Sequence, residues 1–284
     1  MILVTGATGK LGRLIIEALL EKVPASQVVA AVRNPEKAAG LAARGVQVRK
    51  ADYSQPETLG PAFAGVEKVL LISSNEVGQR LAQHTAVVEA ARKAGVRLLA
   101  YTSILHADRS RLALAAEHKA TEELIRASGL PYVFLRNGWY TENYTENLGP
   151  ALTHGALVGS AGEGRIAAAT RADYAAAAAA VLTGSGHENK VYELAGDNAF
   201  TMAELAAEVS RKAGRTIAYN NLAPEQYQGV LEGAGVPKPF AAVLADSDVG
   251  ASRGDLNDSS GDLRRLIGRP TTPLADAVAV AFKR

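Results

Sequence analysis

The sequence predicts an α/β fold in which helices cover a doubly wound parallel sheet. Three observations indicate this class: short apolar runs recur through the first half of the 284-residue chain, helical patterns separate them, and a glycine-rich turn follows the first run. Strands that alternate with helices form parallel βαβ units with right-handed crossovers. We therefore expect the strand order 3-2-1-4-5-6, the common arrangement for six such strands.

The elements of the first half follow from the spacing of apolar residues and from the residues that end each run. The first helix begins at about Lys10, because apolar side chains recur at helical spacing from Leu11 to Leu19. Glycine ends several of the later helical patterns. The predicted strands cover residues 2–4, 28–32, 46–49, 68–72, 97–102 and 131–136, and the later helices cover about 35–44, 79–94 and 113–128.

The pattern is looser after Asn137. Residues 138–164 are rich in glycine, asparagine, tyrosine and glutamate, which predicts an irregular segment. We therefore expect a main domain over residues 1–145 and a smaller substrate lobe over 146–284 that partly returns to the main domain. The later predicted elements are a helix over 171–182, a strand over 190–194, a helix that opens with a Thr201–Glu204 capping box, and a loop over 246–261.

The composition excludes several classes of function. The net charge is +2, so the chain lacks the basic excess of a nucleic-acid binder. It contains no cysteine, and its five histidines have no metal-ligand spacing, so we expect no disulfide and no metal site. No apolar run reaches the ~18 residues that a membrane helix needs. The first strand begins at Ile2 without a leader, so we expect a cytoplasmic protein that is not inserted in a membrane.

The turn GATGKLG lies between the first strand and the first helix, with the glycine spacing G-x-x-G-x-x-G. Gly6 permits a tight turn, Gly9 lets a pyrophosphate approach the backbone, and Gly12 allows close packing of helix on strand. The helix N-terminus offers N–H groups to phosphate. This context predicts a Rossmann-type dinucleotide-binding domain over residues 1–145. The expected cofactor contacts in the turn are Gly6, Ala7, Thr8, Gly9, Lys10 and Leu11.

The end of the second strand indicates which dinucleotide binds. NAD-selective domains place an acid there to hold the ribose 2′-hydroxyl, whereas this chain has Arg33. A guanidinium pairs well with phosphate oxygens, so we expect NADPH, with Lys10 or Lys37 as further partners of the 2′-phosphate. Arginine also stacks on adenine, so some use of NADH stays open.

Two further segments follow strands at the edge of the sheet where ligands bind. Asp52 and Tyr53 follow the third strand, and we expect them to border the adenine. The fourth strand is followed by three polar residues whose side chains either contact the ribose beside the nicotinamide or cap the loop. These three residues are Ser73, Ser74 and Asn75.

Four segments carry a resemblance to a known family: GATGKLG, AYTSILHAD, LPYVFLRNGWYTENY and LIGRPTTPLADAV. Together they resemble the NmrA-like group of atypical short-chain dehydrogenases, and within it the bacterial type 2 NAD(P)H:quinone oxidoreductases and the triphenylmethane reductases. The resemblance covers nearly the whole chain. It implies a flavin-free reductase that passes a hydride from NADPH directly to a quinone. It also implies that two segments border the nicotinamide or the substrate: Asn137, Gly138, Trp139, Tyr140, Thr141 and Glu142, and then Ala169, Thr170, Arg171, Ala172, Asp173 and Tyr174.

The chain departs from the tyrosine–lysine pair, four residues apart, that ordinary family members use as acid and base. None of its nine tyrosines has a lysine four residues on, although Ser103 stands where the family has serine. If the glutamate of the family pattern is Glu122, the lysine position holds His118, with Lys119 as an alternative. The candidate catalytic residues are therefore His118, for ribose binding or proton relay, and Asn137, for a hydrogen bond to the nicotinamide or the substrate. A structural role stays open for both.

Two classes of function fit these residues. The first is an NADPH-dependent reductase of quinones or similar planar acceptors, with azo compounds and dyes as related substrates. A quinone is already electrophilic and depends mainly on orientation against the hydride, so it needs the missing acid less. The second is a non-catalytic sensor that binds NADP(H) and controls a partner protein. Trp139, Tyr140 and Tyr144 favour the reductase if they form an aromatic wall rather than ordinary packing. A homodimer is among the assemblies we consider.

Overall fold

The structure is a computed structural model that describes residues 1–283. It contains a seven-stranded sheet in the order β3-β2-β1-β4-β5-β6-β8 and a two-stranded sheet of β7 and β9. Neighbouring strands from β3 to β6 pair in parallel. The predicted α/β class and the order 3-2-1-4-5-6 are confirmed, and the strand predicted at 190–194 extends the sheet beside β6. The strands are β1 (Ile2–Val4), β2 (Val28–Val32), β3 (Gln47–Lys50), β4 (Lys68–Leu71), β5 (Leu98–Ile104), β6 (Tyr132–Asn137), β7 (Ala156–Gly159), β8 (Lys190–Leu194) and β9 (Ala218–Asn221).

Two of the helices form at signals that are visible in the sequence, an apolar stripe in α1 and a terminal cap in α9. Leu11, Ile15 and Leu19 are buried along the first helix, as the helical spacing predicts. The capping box is confirmed: Thr201 Oγ1 accepts from the Glu204 N–H at 3.1 Å, and the Glu204 carboxylate accepts from the Thr201 N–H at 2.8 Å. The helices are α1 (Lys10–Leu20), α2 (Ala39–Ala42), α3 (Leu59–Phe63), α4 (Arg80–Lys93), α5 (Ala115–Ala127), α6 (Glu142–Thr145), α7 (Gly149–His154), α8 (Arg171–Thr183), α9 (Met202–Ala213), α10 (Pro224–Gly233), α11 (Lys238–Ser252), α12 (Asp262–Ile267) and α13 (Leu274–Ala281).

The chain forms two compact units that alternate along the sequence. The first unit comprises Met1–Ala107, Ala116–Asn137 and Arg171–Tyr192, and the second comprises Asp108–Ala115, Gly138–Thr170 and the described residues from Glu193 onward. Because each unit is assembled from separate segments, no single position divides them. The division into domains at 1–145 and 146–284 stays a prediction.

The core of the first unit is built on the central sheet. Buried aliphatic and aromatic side chains of the strands meet those of α3, α4 and α5, while α1 packs against α8. Strands buried in this way are continuously apolar rather than alternating, which explains why they stand out in the sequence. Members of this core include Leu3, Val29, Leu71, Val87, Leu99 and Phe134.

Two predictions for the second half are wrong in part. The loop predicted at 246–261 begins only after Ser252, because α11 continues to that residue, and residues 253–261 are turn and irregular structure as predicted. Two aspartates of the helical part make tertiary contacts: Asp248 is buried and accepts from the Ser160 N–H at 2.7 Å, and Asp246 accepts from the Ala113 N–H at 2.8 Å. Such contacts override the weak local preference of aspartate and glycine for loops. The segment predicted as irregular at 138–164 contains α6, α7 and β7, which are short and lack strong periodicity.

Candidate functional site

A cavity of about 430 Å³ opens in the first unit at the carboxyl ends of β1 to β4. This is the edge where open parallel sheets bind ligands. Seven of the ten residues predicted to contact the cofactor line it, and the other three, Ala7, Lys10 and Leu11, do not. The lining residues are Gly6, Thr8, Gly9, Arg13, Val32, Arg33, Lys37, Ala51, Asp52, Tyr53, Ile72, Ser73, Ser74, Asn75, Glu76 and Gln83.

The glycine-rich turn forms one wall of the cavity. Gly6 has a φ of +58°, a left-handed conformation that costs other residues energy. A Cβ on Gly12 would lie 2.3 Å from the Gly6 carbonyl oxygen and 2.8 Å from the Ala7 Cα. Only glycine therefore allows α1 to approach the turn this closely. The turn has the conformation and the close packing that its glycine spacing predicts.

The N-terminus of α1 is open toward an anion. Its N-cap is Gly9, which has no side chain to satisfy the first N–H groups, and its first turn holds no acidic residue. The backbone N–H groups of the first turn and the positive end of the helix dipole both favour phosphate here. The turn is thus shaped for a pyrophosphate, which is the group that we expect in this position.

Thr5 links the turn to neighbouring strands. Its hydroxyl donates to the Leu70 carbonyl at 3.1 Å and accepts from the Ile72 N–H at 2.9 Å. The Tyr53 hydroxyl lies within hydrogen-bond distance of Thr5 and of the Ile72 carbonyl. Burial raises the pKa of Tyr53, so it stays a neutral phenol. These bonds fix the cavity floor where Asp52 and Tyr53 were expected to border the adenine.

Three cations lie around the cavity: Arg13, Arg33 and Lys37. Arg33 is the residue that the second strand predicts, and Lys37 was one of two proposed helpers. Arg13 was missed, although it lies one helical turn after Lys10 on the polar face of α1. Its guanidinium donates to the Thr8 carbonyl at 3.0 Å and lies 3.4 Å from the Lys37 carbonyl oxygen. This positive cluster suits a phosphate monoester.

Arg33 is already paired in the structure. Its Nη1 lies 3.2 Å from Oε1 of Glu76, a residue that the sequence did not single out. Both side chains line the cavity and are exposed by 69% and 44% respectively. The second carboxylate oxygen of Glu76 accepts from Gln83 Nε2 at 2.7 Å. The cavity therefore contains a carboxylate beside the arginine that is expected to hold phosphate.

The loop after β4 is anchored by a buried histidine. The Ser74 N–H donates to His84 Nε2 at 3.0 Å, so the imidazole proton is on Nδ1, which lies 3.0 Å from Thr121 Oγ1. Burial, together with the nearby charge of Arg80, lowers the pKa of His84 to about 3. The histidine therefore stays neutral at neutral pH and holds the loop that carries Ser73, Ser74 and Asn75.

The candidate acid–base residues lie in the interior of the first unit. His118 is buried, and its Nδ1 forms a 2.8 Å hydrogen bond with the Tyr101 hydroxyl. Burial lowers the pKa of His118 well below its usual value, so it is uncharged at neutral pH. The alternative, Lys119, is exposed. Ser103 donates to Glu122 at 2.7 Å. The arrangement thus supplies no protonated acid at neutral pH from His118, and its catalytic role stays a prediction.

Asn137 ends β6 and is buried. Its Oδ1 has no hydrogen-bond partner among the residues that the structure describes. A buried amide oxygen without a partner is costly, and such atoms are often satisfied by a ligand or a water. This orphaned acceptor is compatible with the predicted hydrogen bond to a cofactor or substrate.

The two segments predicted to border the substrate fall in both units. Asn137 and Arg171–Tyr174 belong to the first unit, where the latter open α8. Gly138–Glu142 and Ala169–Thr170 belong to the second, where Ala169 exchanges backbone hydrogen bonds with Trp139 and Thr141 at 3.2 and 2.9 Å. The structure therefore brings the second-unit parts of the two segments side by side.

Of the three residues in the predicted aromatic wall, Tyr144 takes part in ordinary side-chain packing. Tyr144 packs edge-to-face against Phe200 with ring centroids 5.9 Å apart, and burial raises its pKa well above the usual value. Trp139 and Tyr140 are half-buried. A role of these three residues in substrate binding stays a prediction.

Neither a metal cluster nor a membrane-spanning helix is found in the part of the chain that the structure describes. Over residues 1–283, histidine and acidic side chains nowhere gather in groups of three or more that would hold an ion. None of the helices formed by these residues combines the length and the apolar character that crossing a bilayer requires.

The comparisons with known proteins agree over almost the entire length. The model of the NmrA-like family matches residues 1–252. Quinone oxidoreductase 2 of Escherichia coli (strain K12) is 56% identical over 282 residues, which is 99% of each chain.

The solved structures that are similar to this chain include two with a bound dinucleotide. A crystal structure of the NADPH-dependent quinone oxidoreductase QOR2 from Escherichia coli, complexed with NADPH, superposes with a TM-score of 0.97 at 56% identity and covers 99% of this chain and 100% of the other. The Citrobacter sp. triphenylmethane reductase complexed with NADP(H) gives a TM-score of 0.95 at 46% identity, with the same coverage.

Proposed function

The chain belongs to the NmrA-like family, and we propose that within this family it is an NADPH-dependent quinone oxidoreductase. The observation that carries the proposal is the match, over the full length, to a quinone oxidoreductase whose crystal structure contains NADPH. The phosphate-binding turn and the positive cluster around the cavity support the same function from this chain's own geometry.

The residues of the first unit fit an NADP(H) cofactor. The turn from Gly6 to Leu11 holds the pyrophosphate, and the close approach at Gly12 leaves room for it. Arg33, together with Arg13 and Lys37, binds the 2′-phosphate.

Other residues of the first unit act on the ribose and the nicotinamide. Ser73, Ser74 and Asn75 contact ribose from a loop that His84 keeps in place. The orphaned Oδ1 of Asn137 accepts a hydrogen bond from a ligand group.

The reaction combines the cofactor's chemistry with orientation by the protein. When bound, NADPH supplies a hydride, and a quinone that takes this hydride and one proton becomes a hydroquinone. Because an ordinary tyrosine–lysine pair is absent, the chain's main contribution is positioning and exclusion of water. His118 is neutral at neutral pH and contributes a hydrogen bond rather than a charge.

The substrate side involves residues of both predicted segments. Gly138, Trp139, Tyr140, Thr141 and Glu142 contact the planar acceptor, and aromatic faces favour offset stacking on a quinone ring. The second segment contributes Ala169 and Thr170, which belong to the same unit as Gly138–Glu142. The support for this assignment is the family resemblance together with the backbone bonds that join Ala169 to Trp139 and Thr141.

The proposal also covers location and partners. The partner is a small molecule, and the weak net charge of +2 gives no support for nucleic acid. We place the protein in the cytoplasm, where NADPH is available, and propose a homodimer as its assembly. Light scattering of the purified protein tests the assembly, with a mass of about 29.6 kDa per chain as the reference.

The deciding experiment measures NADPH oxidation by the purified protein with benzoquinone and naphthoquinone. The uncatalysed rate is subtracted, heat-denatured protein serves as the control, and the hydroquinone is quantified by chromatography. We expect one hydroquinone for each NADPH consumed. The visible spectrum of the same sample reports any bound flavin, and we expect none.

The competing function gives a different result in the same experiment. A sensor binds NADPH tightly but turns over none of the quinones tested. That outcome would remove the oxidoreductase proposal and favour a protein partner whose affinity depends on the redox state of the cofactor. If the protein reduces azo compounds or dyes but no quinone, its substrate class differs from the proposed one, while the hydride transfer from NADPH is retained.

A further inference from the structure

We propose that Glu76 sets the preference of the cavity between NADPH and NADH by competing with the 2′-phosphate for Arg33. The inference deepens the proposed function and rests on its cofactor assignment. It concerns a residue that lies 43 positions from Arg33 in the sequence and meets it only in the folded chain.

The pair lies at the cavity itself. Arg33 follows β2 and Glu76 follows β4, and these strands lie on either side of β1, whose own carboxyl end carries the glycine-rich turn. Arg33 Nη1 and Glu76 Oε1 are 3.2 Å apart, and both residues line the cavity. A ligand phosphate that binds the guanidinium therefore meets the carboxylate at the same place.

Glu76 is held in position independently of Arg33. Its Oε2 accepts from Gln83 Nε2 at 2.7 Å, and its backbone N–H lies 3.2 Å from Ser74 Oγ. Gln83 is buried, and the Ser74 hydroxyl donates to its Oε1. Because two anchors remain when Arg33 turns to a phosphate, the carboxylate stays at the cavity and keeps its negative charge there.

The two dinucleotides respond differently to this fixed charge. The 2′-phosphate of NADPH is an anion, so the carboxylate of Glu76 repels it and also withholds Arg33 from it. NADH carries a hydroxyl at that position, and a carboxylate accepts a hydrogen bond from a ribose hydroxyl. Glu76 thus supplies, from the loop after β4, the kind of acid that NAD-selective domains place at the end of β2. Arg13 and Lys37 remain to favour NADPH.

The test measures dissociation constants of NADPH and NADH for wild type and Glu76→Gln by fluorescence or calorimetry, without any quinone. We expect the ratio Kd(NADH)/Kd(NADPH) to rise about threefold to tenfold in the variant at low ionic strength. The increase should shrink as salt is added, because surface charges are screened. A change in packing would not follow ionic strength in this way.

The matched control is Glu89→Gln. Glu89 is exposed by 45%, close to the 44% of Glu76, and it pairs with Arg92 on α4 rather than with a residue of the cavity. The ratio Kd(NADH)/Kd(NADPH) of this control variant should equal that of wild type. Glu76→Ala serves as a second neutral variant whose ratio must rise as well, and thermal unfolding checks that each variant is folded.

The outcomes separate this inference from the proposed function. An unchanged or lower ratio in both Glu76 variants overturns the inference, as does an equal rise in Glu89→Gln. Quinone turnover is measured separately on the wild type. If the wild type reduces no quinone but the Kd ratio rises in the Glu76 variants, the oxidoreductase proposal fails and the inference stands. If the wild type reduces quinones but the Kd ratio does not rise in these variants, the proposed function stands and the inference fails.

Discussion

Arg136 on β6 donates to both carboxylate oxygens of Glu122 on α5, at 2.8 and 2.7 Å, in the interior of the first unit. Both residues are buried, and Ser103 on β5 adds a 2.7 Å hydrogen bond to the same carboxylate. A two-pronged pair of this kind fixes the orientation of both partners. The pair therefore ties α5 to the carboxyl ends of β5 and β6, where the family resemblance puts the chemistry.

Removing one partner of this pair should lower the free energy of unfolding by more than the intact pair contributes to it. Glu122→Gln leaves the charge of Arg136 buried without its counter-ion, so we expect the free energy of unfolding to fall by about 3–5 kcal/mol. Chemical denaturation measures it, and Glu123→Gln on the exposed side of α5 is the control. A loss below about 1 kcal/mol would show that water reaches Arg136. The double variant Glu122→Leu, Arg136→Met should recover much of the stability.

Substitution of Gly12 tests the close packing of the phosphate-binding turn. In Gly12→Ala the new methyl would collide with the backbone of Gly6 and Ala7, which cannot move aside as a flexible side chain does. We expect a loss of about 1–3 kcal/mol of stability together with weaker NADPH binding.

The matched control for this substitution is Gly40→Ala. Gly40 lies in α2, and a Cβ there would meet no atom within 4 Å. That variant should be as stable as wild type or more stable by roughly 0.5–1 kcal/mol, because alanine is the better helix former. Equal effects of the two substitutions would refute the packing argument. Thermal unfolding and NADPH titration provide both measurements.

Arg33→Ala should weaken NADPH binding far more than NADH binding. Hydrogen bonds to a charged group are worth about 1.5–3 kcal/mol, which corresponds to a loss of roughly tenfold to a hundredfold. Stability should barely change, because the exposed pair with Glu76 contributes little to it. The control is Arg97→Ala, since Arg97 is also exposed and pairs with Glu67 instead. Equal losses for the two dinucleotides would remove Arg33 from the 2′-phosphate site.

The sequence predicts the sheet well because its strands are buried on both faces. Such strands are continuous apolar runs, and the glycines of the turn mark where the first of them ends. The prediction from the sequence fails at α11, where Asp248 and Gly250 suggest a loop. Asp248 is instead satisfied by the Ser160 N–H, and a Cβ on Gly250 would lie 2.3 Å from Leu112. These contacts join distant parts of the chain, and local spacing carries no trace of them.

The same distinction separates the predicted from the missed residues of the site. Arg33 follows a recognisable strand, and its position alone suggests a role at the 2′-phosphate. Glu76 and Arg13 gain their importance from the strand order, which places the loops after β2 and β4 beside α1. His84 is one of five histidines without a pattern in the sequence, and only the fold shows that it anchors Ser74.

The stability of the second unit should depend on the protonation of Asp248. Burial raises the pKa of its carboxyl from 3.8 to about 6, with the Ser160 N–H opposing the shift. A raised pKa in the folded state means that the stabilising contribution is fully present below pH 3.8 and is lost as the pH rises through 6.

Asp248→Asn keeps an acceptor for the Ser160 N–H but carries no charge at any pH. Since one pKa unit corresponds to about 1.4 kcal/mol, we expect the free energy of unfolding of the variant to exceed that of wild type by roughly 3 kcal/mol above pH 6. The difference should shrink as the pH falls through 6 and vanish only below pH 3.8, where the wild-type carboxyl is protonated in both the folded and the unfolded state. Urea unfolding across this range measures the difference, and the acidic end provides the internal control. A gain that does not vary with pH would mean that asparagine acts by packing rather than by removing a buried charge.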